Sequence, residues 1–219
     1  MLTKRHLARG LVPVLVLGLL GVACGRSSES SHNAAGAKPA ATPVQLRLDM
    51  RKLWEDHITW TRLFIVSAEA GAPDTDATAG RLLQNQVDIG NAVKPFYGDA
   101  AGDQLTALLK DHILTAADLL TAAKAGDDAK VAATKTQWYA NADQIADFLA
   151  GANPKYWPAD QMRAEMHAHL DATLDEAVAH LTGDYAADIA AYDRVHNQIL
   201  GMADMLSDGI ARQFPGRFS

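Results

Sequence analysis

The sequence predicts an all-α protein of six helices, folded as three antiparallel helical hairpins in a closed bundle or a short stack. Three observations predict it. Asp56-His57-Ile58 returns as Asp111-His112-Ile113 and again, without its aspartate, as Ala168-His169-Leu170. A glycine follows each histidine by 14 residues, at Gly71, Gly126 and Gly183, and asparagines recur 56 apart at Asn85, Asn141 and Asn197. Repeats of this length mark supersecondary units that bury their apolar faces against one another. Composition agrees: the chain is 48% hydrophobic but only 6% aromatic, which favours helices packed closely through small side chains. After the first twenty residues there are no runs of Val, Ile, Thr and Tyr of the kind strands require.

Residues 1–23 have the form of a signal peptide. Lys4, Arg5 and Arg9 precede an apolar stretch, Leu11 to Leu20, that is short for a membrane span. Leu20-Gly21-Val22-Ala23-Cys24 resembles a bacterial lipobox, with Cys24 as the lipidated residue, although Gly21 stands where a large aliphatic residue is usual. Gly21-Val22-Ala23 also suits ordinary signal peptidase, which would give a freely secreted protein. Cys24 is the only cysteine, which excludes an internal disulfide and a multi-cysteine metal site. Residues 24–43, rich in Ser, Ala, Gly and Pro, form a flexible tether. An extracytoplasmic location follows from either cleavage, and the membrane is a partner through the lipid anchor.

The helical domain covers 44–218, in units 44–98, 99–157 and 158–214. Thr42-Pro43 supplies an N-cap and a first-turn proline. The first helix runs to Ala70, Gly71-Ala72-Pro73-Asp74 breaks it, and Asp74 or Asp76 caps a second helix reaching Lys94. Pro95-Phe96-Tyr97-Gly98 ends the unit. The second unit turns at Gly126-Asp127 and closes at Gly151 to Pro158, again with proline beside aromatics. The third turns at Gly183-Asp184, and its long last helix stops at Phe214-Pro215-Gly216.

A residue 14 before a turn and one 14 after it lie level along a hairpin, about 21 Å from the bend. The spacing therefore pairs His57 with Asn85, His112 with Asn141 and His169 with Asn197, on or beside the buried seam. Two readings follow. In one, each pair satisfies two buried polar groups and fixes hairpin register, because a slip would strand both at about 1–3 kcal/mol each. In the other, His57, His112 and His169 converge with Glu165, four before His169, as ligands for a divalent metal such as zinc, iron or copper. Asp56 and Asp111 point about a hundred degrees away and are poor co-ligands. No HExxH or Glu-x-x-His pair supports the metal reading. His167, His180 and His196, the tryptophans and the acidic clusters read as packing and solvated faces.

The formal charge is −6; without Lys4, Arg5 and Arg9 the body has 17 basic against 26 acidic side chains. Such a body repels phosphate backbones, so nucleic acid is not an expected partner. There is no Gly-rich phosphate loop and no GxSxG, so nucleotide-dependent transfer and hydrolase chemistry lack their apparatus. No catalytic residue and no organic cofactor is indicated, and the expected role is that of a binding or structural module. The segments LWEDHITWTRLFIVSA, RLLQNQVDIGNAVKPFYG, WYANADQIADFLAGANP and MADMLSDGIARQFP resemble a family of small secreted or envelope bacterial proteins, over residues 45–218. The resemblance implies an all-helical envelope protein and carries no catalytic residues with it. If Cys24 is the anchor, Cys24→Ser moves the protein from the membrane fraction to the soluble envelope fraction or the medium. Unchanged fractionation, with no lipid on the N-terminal peptide, would refute that assignment.

Overall fold

The computed structural model describes residues 42–218, so the signal peptide and nearly all of the tether lie outside the described residues. Among them are six α-helices: α1 Pro43–Ala70, α2 Thr75–Tyr97, α3 Asp99–Ala125, α4 Asp128–Ala152, α5 Ala159–Leu181 and α6 Tyr185–Gln213. A short 3₁₀ turn, Pro215–Arg217, follows. No strand occurs among the described residues, and no helix there is long and apolar enough to cross a membrane.

The caps explain the boundaries. Thr42 Oγ1 accepts the Gln45 N–H at 3.0 Å with Pro43 at the first helical position. The three hairpin turns share one device. Gly71, Gly126 and Gly183 have φ of 61°, 69° and 76°, a region costly for any residue with a Cβ. In each turn the glycine and the residue after it donate backwards to free helix-end carbonyls, as Ala72 does to Ser67, Asp127 to Ala122 and Asp184 to Ala179. Asp127 and Asp184 then cap the next helix through Lys130 and Ala187 N–H. Asp74 differs: it precedes α2 without a side-chain cap, and its carboxylate accepts the Ser67 hydroxyl instead.

One expected boundary is wrong. The proline at 95 does not end the second helix, which continues through it to Tyr97 and stops at Gly98. The carbonyl that Pro95 leaves without a donor is that of Asn91, and both residues lie on the exposed face of the helix.

Each helix packs on its neighbours in the chain and α6 returns against α1, so the three hairpins close into a ring rather than an open stack. The core runs along the axis through Trp54, Ile58, Leu109, Ile145, Leu170 and Ile199. At the α1–α6 seam Arg51 grips Asp204 through two bonds of 2.6 Å and Arg47 reaches Asp208 at 2.7 Å. The end opposite the turns is shut by aromatics from several units. Tyr97 meets Phe214 at 5.3 Å, Phe96 meets Phe218 at 5.7 Å, and Trp157 lies on Gly209, where a Cβ would fall 2.0 Å from the indole nitrogen. The unit-closing aromatics are therefore packing, as their sequence positions imply.

Between units, α2 and α3 cross almost backbone to backbone. A Cβ on Gly90 would stand 1.9 Å from Thr106 Oγ1 and 2.5 Å from the Gly102 carbonyl. Gly90→Ala must therefore push two helices apart and should destabilise by about 1–3 kcal/mol. Gly201→Ala, in α6 with open space around it, should instead stabilise by about 0.5–1 kcal/mol through helix propensity. Urea unfolding of both variants checks the contrast.

Candidate functional site

The three repeated histidines do meet. His57, His112 and His169 are 3%, 3% and 5% exposed and form one tier across the bundle interior. The His57 and His169 rings lie 5.8 Å apart, and both Trp54 and Trp138 close on the tier, Trp138 with its ring 5.2 Å from that of His112. Asp56 and Asp111 face away, Asp56 toward Lys52 and Arg81.

Each histidine is served by a carboxamide from the second helix of its own hairpin. His112 with Asn141 is the pair expected: Nδ1 lies 2.8 Å from Asn141 Oδ1. Asn141 Nδ2 donates to the Leu108 carbonyl at 3.2 Å, which fixes the amide so that its oxygen faces the ring. His112 therefore carries its proton on Nδ1. In the first hairpin the work is divided. Asn85 donates to the Leu53 carbonyl at 3.0 Å, while Gln86 Nε2 stands 3.3 Å from His57 Nδ1. The same Nε2 lies 2.8 Å from the Leu82 carbonyl and 3.2 Å from Asn85 Oδ1, which take its two hydrogens, so of its three contacts the one with the His57 ring is the weakest.

The third expected pair does not form. Asn197 is exposed, and Gln198 takes its place, donating to the Glu165 carbonyl at 3.0 Å and to its carboxylate at 3.1 Å. Here the contact with the ring is slack. His169 Nδ1 and Gln198 Oε1 are both buried without a hydrogen bond, although Gln198 is near enough to favour the charged ring. The contacting residues Gln86, Asn141 and Gln198 each fall 29 residues after their histidine. In every hairpin a carboxamide also binds the carbonyl four residues before the histidine, using the lone pair that the helical bond leaves free.

Burial keeps the imidazoles neutral. Desolvation is the largest influence on all three, followed for His57 by the charges of His169 and His112, and for His112 by that of His169. His57 is held well below its ordinary pKa, His112 is lowered to about 3 and His169 to about 4. Glu165 is engaged by Gln198, and among the described residues no three His, Cys, Asp or Glu side chains stand in a metal-holding arrangement.

Beside the tier, toward the hairpin turns, lies a cavity of 110 Å³. Its floor includes Ile65, Leu82, Ile113, Leu120 and Trp138, and its rim includes Ala123 and Val178. Thr61 and Thr173, each four after a tier histidine, also line it, but their hydroxyls donate to the His57 and His169 carbonyls at 2.8 Å. Four lining residues, Leu119, Val131, Leu174 and Val178, also line a groove on the outer surface, so they form the partition between cavity and solvent.

A second polar cluster has no counterpart in the sequence reading. Arg62 of α1 binds Asp188 of α6 through bonds of 2.6 and 3.0 Å and Glu176 of α5 at 2.7 Å, with its guanidinium 4.9 Å from the centre of the Tyr192 ring. His180 reaches the same Asp188 at 2.9 Å. One cation shared by two carboxylates splits them: Asp188, with both partners, is held low, while desolvation raises Glu176 to about 7. Of the other histidines, His167 pairs with Asp143 and His196 with Glu55 at the surface.

Compared with known proteins, the chain matches no family model, no curated sequence and no solved structure.

The tier dictates how stability depends on pH. Its three histidines have folded pKa values below the unfolded 6.5, so beneath that pH the unfolded chain binds protons that the folded one refuses, and stability falls. Glu176, raised to about 7 from 4.5, opposes one of the three as the pH falls through that window. The balance is a loss on the order of 2 kcal/mol per pH unit between pH 6.5 and 4.5. Thermal melts across this range should show a steep fall, made steeper still by Glu176→Gln, which removes the opposing group.

Proposed function

We propose that this chain is a binding module rather than an enzyme. It works outside the cytoplasm on a lipid anchor at Cys24 and holds a small apolar molecule inside the bundle, in the cavity beside the histidine tier. The supporting observation is the cavity itself. Packed interiors hold few voids larger than a water molecule. A space of 110 Å³ lined almost wholly by apolar side chains and partly open to the surface leaves apolar area short of packing partners, at a cost to the empty protein. A ligand recovers that energy. Apolar cavities of comparable size, about 150 Å³, stay dry and accept benzene or xenon.

A divalent metal at the tier is the second reading. It is favoured by three imidazoles held neutral and therefore free to ligate, and it requires their rings to turn toward a common centre. Elemental analysis of protein taken from its native envelope decides it.

The cavity reading is tested with methylcyclohexane. Saturable binding should raise the melting temperature of the wild-type protein. Ala177→Leu, which extends a lining side chain into the space, should raise the melting temperature without ligand and remove the response. A wild-type protein indifferent to apolar probes would overturn the proposal.

A further inference from the structure

Resting on the reading of the cavity as a binding site, we propose that its ligand is an amphiphile, with a short alkyl end in the cavity and a singly charged anionic head in the groove outside it. The two spaces adjoin. The outer groove, of 670 Å³, runs along α4, α5 and α6 and shares Leu119, Val131, Leu174 and Val178 with the cavity. Leu119 belongs to α3 and is 5% exposed, so the groove reaches between its flanking helices as far as a buried residue of another. Val178, 55% exposed, stands at the mouth of both spaces.

The lining changes character along this path. No charged side chain lines the cavity, so an ionised group inside it would give up its hydration with nothing to replace it. The groove has four charged side chains, Lys135, Asp175, Asp184 and Arg194. Three of them are engaged. Asp175 accepts from Arg194 at 2.9 Å, and Asp184 accepts the Ala187 N–H at 3.1 Å, where the positive end of α6 offsets its charge. Lys135 is exposed and makes no ion pair among the described residues; its ammonium lies 5.5 Å from the centre of the Tyr139 ring. One cation is therefore to spare, and a head with a single negative charge answers it. The tail is limited by the cavity. Apolar spaces of about 150 Å³ accept benzene, so the part of the chain inside 110 Å³ has about six carbons or fewer. A wholly apolar ligand would leave Lys135 unanswered, and a wholly polar one would leave the cavity empty.

The test titrates the full chain, at low salt, with octanoate, octan-1-ol and octylammonium, which share a tail and differ in head charge. All are kept below the concentrations at which they form micelles. Lys135→Glu should weaken octanoate binding by about fivefold and leave octanol binding as it was, while Lys135→Arg retains both. Added salt should weaken octanoate binding alone. Ala177→Leu, which extends a side chain into the cavity, should remove binding of octanoate and octanol together. If that variant disturbs the fold, nuclear Overhauser effects from the octanoate methyl to Leu82 and Ile113 of the wild-type protein locate the tail instead. Octanoate binding that is indifferent to Lys135→Glu, or weaker than that of octylammonium, overturns the inference. So does octanoate binding that survives Ala177→Leu or shows no contact with Leu82 and Ile113. After any of these results, a wild-type protein that still binds methylcyclohexane keeps the cavity reading. One that binds neither octanoate nor methylcyclohexane loses both.

Discussion

The structure depends on a polar contact placed where polar contacts are expensive. In each hairpin an imidazole and a carboxamide face one another within the core, and the same or an adjacent carboxamide clasps a main-chain carbonyl of the opposite helix. Apolar side chains tolerate small sliding of one helix on another; the carboxamide–carbonyl bonds, present in all three hairpins, do not, because displacement would strand buried donors and acceptors. Three such clasps at one level set the register of all three hairpins. That common level allows the apolar layers above and below to interlock, and it leaves the cavity bounded on one side by a rigid floor.

Much of the architecture was legible in the sequence because local chemistry decides it. A left-handed turn needs Gly71, Gly126 and Gly183, and a cap needs an oxygen such as that of Asp127 or Asp184. The level of the histidines follows from helix rise alone. The partners were only partly legible. Even spacing of asparagines drew attention to Asn197, whereas the invariant quantity is the distance from each histidine, which selects Gln86, Asn141 and Gln198. Glutamine and asparagine offer the same amide at different reach, so the geometry conserves the group while the letter changes. Nothing local announces Arg62 with Glu176 and Asp188, which the chain separates by 114 and 126 residues and only ring closure unites. The cavity was equally hidden, since it arises where alanines from different helices fail to fill a shared space.

The two buried polar clusters use opposite electrostatic solutions. The tier avoids charge, with imidazoles kept neutral by desolvation and by one another. The Arg62 cluster retains charge and compensates it, with two carboxylates and His180 around a guanidinium shielded by the Tyr192 ring. A neutral tier suits the wall of an apolar space. A compensated cluster suits the α1, α5 and α6 junction, where the first hairpin must recognise the last and where direction matters more than apolar area.

Closure of the ring has a consequence for how the chain comes to be folded. The side of α1 that meets α6 is completed by residues more than 150 positions away, among them Asp204 and Asp208. A chain that emerges N-terminus first can build the first two hairpins at once, since their contacts are local, but it holds an unfinished apolar edge until the last helix is free. During that interval the missing third hairpin has an imitator in any neighbouring chain, because the units are built on the same plan. The acidic pair on α6 complements the basic pair on α1, which marks that seam for α6 rather than for another helix, while tethering within one chain favours its own copy.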